Sequence, residues 1–368
     1  MIIVGILFSV IIFAGIIYTL IKYFQFWKRF RLPKALYWIV QTLFMGMLIL
    51  CISRITVIES EIVKSILLRI SAIYFVVLVY STVLILIRQL ICILGQRMAM
   101  KNRVYKFIRS TKRGVGSILI FTFVLGIVSL FNMQYMTYTE YDLGASEKEQ
   151  HVPLKIAAIA DAHIGTAVLR SDLQELVTKI NETKPDVIFL VGDMFDHSTS
   201  DSLKMAAVKA FSEFESTYGV YYVEGNHENY LKEDTTKYFR EAGIQVLLDQ
   251  VTTLSNGVQI AGRRDFADSE QLPLETVLTG VDPSKPLILL SHQPQEYKKA
   301  SELGVDLVIS GHTHGGQLWG NFGTYLANDM NYGMKKYDDM TAITTSGIGG
   351  WGVPAKLGFP SEVVVITM

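Results

Sequence analysis

The sequence predicts an α/β layered domain carried behind an all-α region of four transmembrane helices. Three observations predict it. Long apolar stretches with almost no polar stripe fill the first third of the chain. After residue 153, short β-rich runs alternate with helical patterns, which is the sequence form of a layered α/β fold. A set of short polar motifs then falls where the β-rich runs end, the place where ligands gather in α/β sheets. The 368 residues divide accordingly into a helical region (1–133), a polar linker (134–152) and an α/β domain (153–368).

The helical region rests on length and composition. Half of all residues are hydrophobic and only 18% are charged, too apolar for an ordinary soluble protein. The stretches 2–21, 35–52, 66–94 and 115–133 are each long enough to span a bilayer. The first does not read as a signal peptide. It lacks a basic start, and Lys22, Lys28, Arg29, Arg31 and Lys34 come after it, whereas a signal peptide has its positive charge before the apolar run. The third loop carries Arg97, Lys101, Arg103, Lys106, Arg109, Lys112 and Arg113 with no acid; the second balances Arg54 and Lys64 against Glu59 and Glu61. The positive-inside rule then puts loops one and three in the cytoplasm, and the N-terminus, loop two and the α/β domain outside. The acids Glu140, Asp142, Glu147 and Glu149 fit the outer side.

Val104, Phe107 and Ile108 interleave with the bases of loop three, which reads either as an interfacial helix on anionic lipid or as a solvated basic loop. Arg69 and Arg88 lie near helix ends, where they can snorkel. No acid sits deep in a span, so the region anchors and does not transport. Cys51 and Cys92, both in apolar stretches, read as small buried hydrophobes, which excludes a disulfide framework and a cysteine zinc site.

In the α/β domain the expected strands are 156–160, 187–191, 220–223, 287–290, 307–309, 342–345 and 363–367. The expected helices are 171–183, 202–214 and 231–242. Alternation alone suits a single doubly wound sheet. Net charge is zero and no basic field appears, so nucleic acid is not an expected partner.

The motifs run in order: Asp161-Ala162-His163, Gly192-Asp193, Gly225-Asn226-His227-Glu228, Ser291-His292 and Gly311-His312-Thr313-His314. They hold five of the chain's 7 histidines, and they supply carboxylate, amide and imidazole donors suited to two adjacent divalent metals. Asp161 and His163 are spaced to grip one cation, on the reading that strand alternation points both to one side. The two oxygens of Asp193 allow it to bridge. Asn226 and His292 serve the second ion, and His312 and His314 can serve one ion each. Gly192 lets the backbone turn tightly beside the site. His227 need not be a ligand and can protonate a leaving oxygen. Nitrogen and oxygen donors point to manganese, iron or zinc.

The domain resembles the calcineurin-like metallophosphoesterase superfamily, whose order Asp-x-His, Gly-Asp-x-x-Asp, Gly-Asn-His-Glu, His, Gly-His-x-His is reproduced from Asp161 to His314. The string Gly311-His-Thr-His-Gly-Gly-Gln317 is similar to its membrane-associated bacterial branch. The resemblance covers residues 153–368 and implies a four-layer β-sandwich flanked by helices in place of one doubly wound sheet. It implies one metal on Asp161, His163, Asp193 and His314, and a second on Asp193, Asn226, His292 and His312, with His227 as the acid. It implies hydrolysis of a phosphate ester, monoester or diester, in a phosphorylated small molecule or a lipid-linked substrate, with membrane lipids as neighbours.

Two rival functions stay open: a pyrophosphate hydrolase of the UDP-2,3-diacylglucosamine type, and a non-catalytic metal-bound membrane sensor, against which an intact His227 argues. Secondary site residues are Asp196 as a partner for a ligand, His197 as a solvated loop histidine or a substrate contact, and Arg263 and Arg264 as a phosphate clamp or as surface ion pairs. Glu228 is expected to orient His227 or cap the following turn. Gly347, Gly349, Gly350 and Gly352 around Trp351 read as a flexible rim, with Trp319 and Tyr332 as further rim candidates. The sequence sets no oligomeric state.

Overall fold

The computed structural model describes residues 2–53, 58, 60–144, 153–231, 233–318 and 322–368. Trp319, Arg54, Glu59, Glu147 and Glu149 lie outside the described residues. Contacts divide the chain into two compact units, Met1–Arg54 with Ile66–Phe131, and Ile55–Ser65 with Asn132–Met368.

The first unit is helical: α1 (Ile2–Trp27), α2 (Lys34–Ser53), α3 (Glu61–Arg97), the short α4 (Arg103–Arg109) and α5 (Gly116–Gln134). Among the described residues, three helical segments are long and apolar enough to cross a membrane: Lys34–Cys51, Glu61–Arg97 and Thr111–Gln134. Tyr23, Tyr37, Ile85 and Val115 pack inside, while Leu43, Ile49, Ile120 and Phe131 stay exposed, an outward apolar surface that water would not tolerate at this extent. Cys51 and Cys92 are free and buried. Loop three is not plain loop: it folds as α4, with Asn102 accepting the Tyr105 N–H as N-cap and with Val104 and Phe107 exposed. Arg88 does not snorkel. It is buried, and its guanidinium donates to the carbonyls of Ile108 and Arg109 (2.8 Å each), satisfying the end of α4.

The second unit holds β1 (Thr137–Asp142), β2 (Lys155–Ile159), α6 (Leu173–Glu182), β3 (Val187–Val191), α7 (Asp201–Phe211), β4 (Val220–Val223), α8 (Asn226–Tyr230), α9 (Thr236–Glu241), β5 (Gln245–Val246), β6 (Gln250–Thr253), β7 (Gln259–Gly262), α10 (Leu274–Val277), β8 (Leu287–Leu290), α11 (Tyr297–Glu302), β9 (Leu307–Ser310), α12 (Phe322–Ala327), β10 (Gly333–Tyr337), β11 (Met340–Thr344) and β12 (Glu362–Thr367). The strands form two six-stranded mixed sheets, ordered β1-β12-β2-β3-β4-β5 and β10-β11-β9-β8-β7-β6. The single doubly wound sheet suggested by alternation is therefore replaced by two. The extra strands β5, β6 and β10 are short or polar and carry no core pattern.

Alternation along the strands explains the layers. Ile156, Ala158, Phe189, Ile288, Ile309 and Val364 meet between the sheets. Ala157, Ile159, Ile188 and Leu190 face the other way, onto Leu173, Leu176, Val177 and Ile180 of α6, which recur at helical spacing. On the far side Leu287, Leu289, Val308 and Ala342 meet Leu274, Tyr297 and Ala300. The result is helix, sheet, sheet, helix.

Two boundaries differ from expectation. Part of the expected linker is β1, paired parallel to β12 from Thr137↔Glu362 to Asp142↔Thr367. Its residues alternate between half-buried and exposed, as an edge strand does, so no apolar run marks it. The expected helix 231–242 is shorter, Thr236–Glu241, and a separate short helix, Asn226–Tyr230, comes before it. That short helix begins inside the Gly-Asn-His-Glu motif, where Glu228 reaches back to the Gly225 N–H and caps it (3.0 Å).

Candidate metal centre

Each motif lies just beyond the carboxyl end of a strand. Asp161 and His163 follow β2, Asp193 follows β3, and Asn226 and His227 follow β4; His292 follows β8, and His312 and His314 follow β9. The first three strands belong to one sheet and the last two to the other, so both sheets supply the cluster.

The backbone there is unusual. Asp161, His163, Asp193, His312 and His314 have φ of 59°, 42°, 55°, 71° and 51°. A left-handed conformation costs an L-residue about 1–2 kcal/mol, and Asp and His are among the side chains that tolerate it best. Strand alternation is thus not what joins Asp161 to His163; two left-handed residues past the strand end turn them together. Gly192, itself at φ 79°, leaves no room for a side chain, since a Cβ there would come 2.5 Å from His292 Nδ1. At Gly225 a Cβ would meet Asp193 Oδ1 at 2.1 Å.

Three groups of side chains bring donor atoms within 4.8 Å of one another: Asp161, His163 and His314; His163, Asp193 and His227; and Asp193, His292 and His312. Asp193 Oδ2 lies 3.1 Å from His292 Nε2 and 3.8 Å from His163 Nε2, so it stands between the first and last groups. Asn226 joins them through His312 Nδ1, 2.8 Å from its Oδ1. The buried nitrogens His163 Nε2 and His314 Nδ1 have no hydrogen-bond partner, and His292 Nε2 faces only the Asp193 carboxylate, 3.1 Å away. Meanwhile His163 Nδ1 is held by Asp196 Oδ2 at 3.0 Å and His292 Nδ1 by the Val191 carbonyl at 2.8 Å. One nitrogen anchored and the other left bare is how metal-ligating histidines are oriented. The donor set therefore fits a pair of divalent ions.

The electrostatics divide the rings. Burial holds His227 and His312 down to about 4, and His314 well below its usual value, toward the neutral form that binds metal. Burial acts the same way on His163 and His292, but the carboxylates around them outweigh it and raise both. Burial also lifts Asp161 to about 6 against the pull of His292. Asp193 feels the same burial, but His292, His163 and His227 reverse it and hold its carboxyl far below the usual range.

Asp196 is buried and bonds His163, while Glu228 does not orient the His227 ring. The Glu228 carboxylate instead takes the N–H groups of Asp193 (3.0 Å), Phe195 (2.9 Å) and Gly225 (3.0 Å), tying two ligand loops together. Burial beside Asp193 lifts Glu228 to about 7.

Four expected residues are not part of the cluster. His197 is exposed and outside the three donor groups. Arg263 is buried and spent on Glu296 (2.7 Å) and the Leu272 carbonyl (3.2 Å), and Arg264 on Asp268 (2.8 Å); a guanidinium so paired is not free to clamp phosphate. Tyr332 stacks on Phe359 and donates to Glu362 (3.1 Å). The glycine rim is also partly corrected. At Gly347 and Gly349 a Cβ would come within 2.7 Å of Asp161 Cβ and 2.5 Å of the Asp161 carbonyl, so these glycines are there for close packing.

Two residues carried no signal in the sequence. Lys356 is fully buried and donates to the carbonyls of Ser346 (2.6 Å) and Gly347 (2.9 Å), fixing the segment packed on Asp161; burial pushes it down to about 8. Gln317 enters the sequence reading only as the end of the string Gly311–Gln317, with no role attached; its amide bonds backbone groups of the loop 351–353.

Two sheets converging on a cage of carboxylates and imidazoles define a metal-dependent α/β domain, and comparison with known proteins gives its family. The model of the calcineurin-like phosphoesterase family matches residues 154–316. A metallophosphoesterase of Aquifex aeolicus is 31% identical over 256 residues, which cover 67% of this chain and 96% of that protein. The chain belongs to the metallophosphoesterase family. A metallophosphoesterase of Campylobacter jejuni is 32% identical over 223 residues, 58% of this chain and 59% of the relative. A bovine "Transmembrane protein with metallophosphoesterase domain" is 30% identical over 237 residues, 58% of this chain and 53% of the relative. The chain thus spans little more than half the length of these two relatives.

Proposed function

We propose that this protein is a membrane-anchored, binuclear metal-dependent phosphoesterase. The observation that carries the reading is the pair of donor groups joined through Asp193. Asp161, His163, Asp193 and His314 would hold one ion, and Asp193, Asn226, His292 and His312 the other, with manganese, iron or zinc suited to these donors. When bound, such a pair supplies Lewis acidity to the phosphoryl oxygens and lowers the pKa of a water.

The chain's own residues do the rest. Asp196 fixes the His163 ring, and Glu228 fixes the Asp193 and Gly225 loops. The His227 N–H donates to Asp193 Oδ1 (2.8 Å), and its ring centre lies 4.8 Å from that of His163. His227 is then placed to pass a proton to the leaving oxygen. Its ring is neutral in the free protein, and an arriving phosphate anion favours the charged form. Purified protein supplied with Mn²⁺ should hydrolyse aryl phosphate esters, and Asp193→Ala should lose turnover by at least roughly a thousandfold. No turnover with manganese, iron or zinc, together with unchanged metal content in Asp193→Ala, would defeat the reading.

The same proposal includes four spans, α1 crossing with the other three, and a catalytic domain outside the cytoplasm. Its support is the charge pattern of the loops, together with the grouping of Ile55–Ser65 in one unit with Asn132–Met368. That grouping supports loop two and the domain lying on one side. A reporter fused to the C-terminus that is active only in the cytoplasm would overturn this orientation.

A further inference from the structure

We infer that Trp351 and Tyr230 form an apolar slot at His227 that receives the leaving group of the substrate, and that Gln317 holds this slot in place. The inference rests on the phosphoesterase reading above and adds the chemistry of the group that departs: apolar, either a planar ring or a hydrocarbon chain, and not a small polar alcohol.

The His227 ring meets the His163 ring edge-on, centres 4.8 Å apart. It also meets Tyr230 at 5.8 Å and Trp351 at 6.1 Å, both within the range of aromatic contact. His227 is thus the hinge between the donor cage and two large rings. Those rings are not core: Trp351 is 54% exposed and Tyr230 is 64% exposed. Two large aromatic faces left in solvent beside a proton donor leave apolar area for a ligand to cover.

Trp351 is held there on purpose-built bonds. The Gln317 amide accepts the Trp351 N–H (3.1 Å) and donates to the Trp351 carbonyl (3.0 Å) and the Val353 carbonyl (3.2 Å). One side chain therefore pairs with the backbone of Trp351 as a neighbouring strand would. Gln317 follows His314 by three residues, so the motif that supplies a donor to the cage also fixes the exposed ring. Next to Trp351, a Cβ at Gly350 would lie 2.6 Å from Met133 Cε and 3.2 Å from Gln317 Cδ, so the loop lies tight against Gln317. A phosphorus centred on the cage, with its leaving oxygen toward His227, sends the rest of the leaving group between the two rings. The P–O bond to that group breaks, water supplies the new P–O bond, and the alcohol departs with the proton from His227.

The test uses the full chain in nanodiscs, loaded with Mn²⁺, on methyl, hexyl and phenyl phosphates and their methyl diesters. Methyl and hexyl esters have leaving groups of like reactivity, so their comparison isolates the slot. Trp351→Ala should lower kcat/KM about tenfold or more on hexyl and phenyl esters and much less on methyl esters. Trp351→Phe should recover most of the loss. Gln317→Ala should repeat the Trp351→Ala pattern. Equal losses on all three esters would overturn the slot. Calorimetry with methylphosphonate and hexylphosphonate separates this from the chemistry. If no ester is turned over yet hexylphosphonate binds more tightly and Trp351→Ala removes the difference, the slot stands and the phosphoesterase reading falls. If the two phosphonates bind alike, the slot falls whatever the turnover. A preference for hexyl over phenyl marks a chain; the reverse marks a ring.

Discussion

The helical unit and the phosphoesterase unit satisfy their polar groups in opposite ways. In the helical unit Arg88, a buried cation, spends its donors on the carbonyls that end α4. In the phosphoesterase unit the buried nitrogens of His163 and His314 are left bare, and Gly192, Gly225 and Gly311, each next to a donor residue, are packed so closely that a side chain does not fit. The first pattern satisfies a buried charge within the fold. The second keeps polarity unsatisfied for a ligand to use. A methyl group added against a donor residue should therefore disturb binding, whereas one added at Gly46 of the helical unit, where no atom lies within 4 Å, should not.

That contrast can be broken most directly at Gly225. Gly225→Ala puts a methyl group against Asp193, and the expected result is loss of metal from the purified protein together with destabilisation of several kcal/mol, on the order of an overpacked core. Metal analysis and a thermal melt would show it. Retained metal would mean that the Asp193 loop yields more easily than its packing implies.

Arg263→Ala comes next. It removes the nearer of two cations that meet Glu296, and the expected cost is about 2–3 kcal/mol, below that of a fully buried pair because Glu296 keeps Lys299 (3.4 Å) and still meets water. KM for a phosphate ester should not move. A raised KM with an unchanged melt would restore the phosphate clamp.

Asp196→Asn sharpens the picture inside the cage. It weakens the hold on His163 Nδ1 and should cost about 10–100-fold in metal affinity with the fold intact, as measured by metal titration. The smallest effect is expected in the helical unit. At Gly46 in α2 a Cβ would meet nothing within 4 Å, so Gly46→Ala should shift stability by no more than about 1 kcal/mol, toward greater stability. A large loss there would mean that a partner covers that helix face.

Much of this was legible in the chain. The apolar runs marked the helices by composition, and β3 and β4 read at their observed bounds because all their residues are buried. The seven expected donors converge because each follows a strand, and strands are what the sequence shows best. What stayed hidden depends on distant partners or on backbone angle. Nothing near Arg263 shows that Glu296 will meet it, and nothing in Asp-x-His shows that both residues are left-handed. β1 was missed because an edge strand with one wet face carries polar letters. Gln317 was quoted as part of a motif, but its work on Trp351 crosses from one loop to another and leaves no spacing to read.

The left-handed donors carry a consequence for the life of the apoprotein. Five such residues at roughly 1 kcal/mol each store an amount comparable to the whole margin by which many domains stay folded. Cations that bind only the folded form offset that load by mass action. A cell starved of them would hold this domain in a state open to proteases, so its abundance would track metal supply even with synthesis held constant.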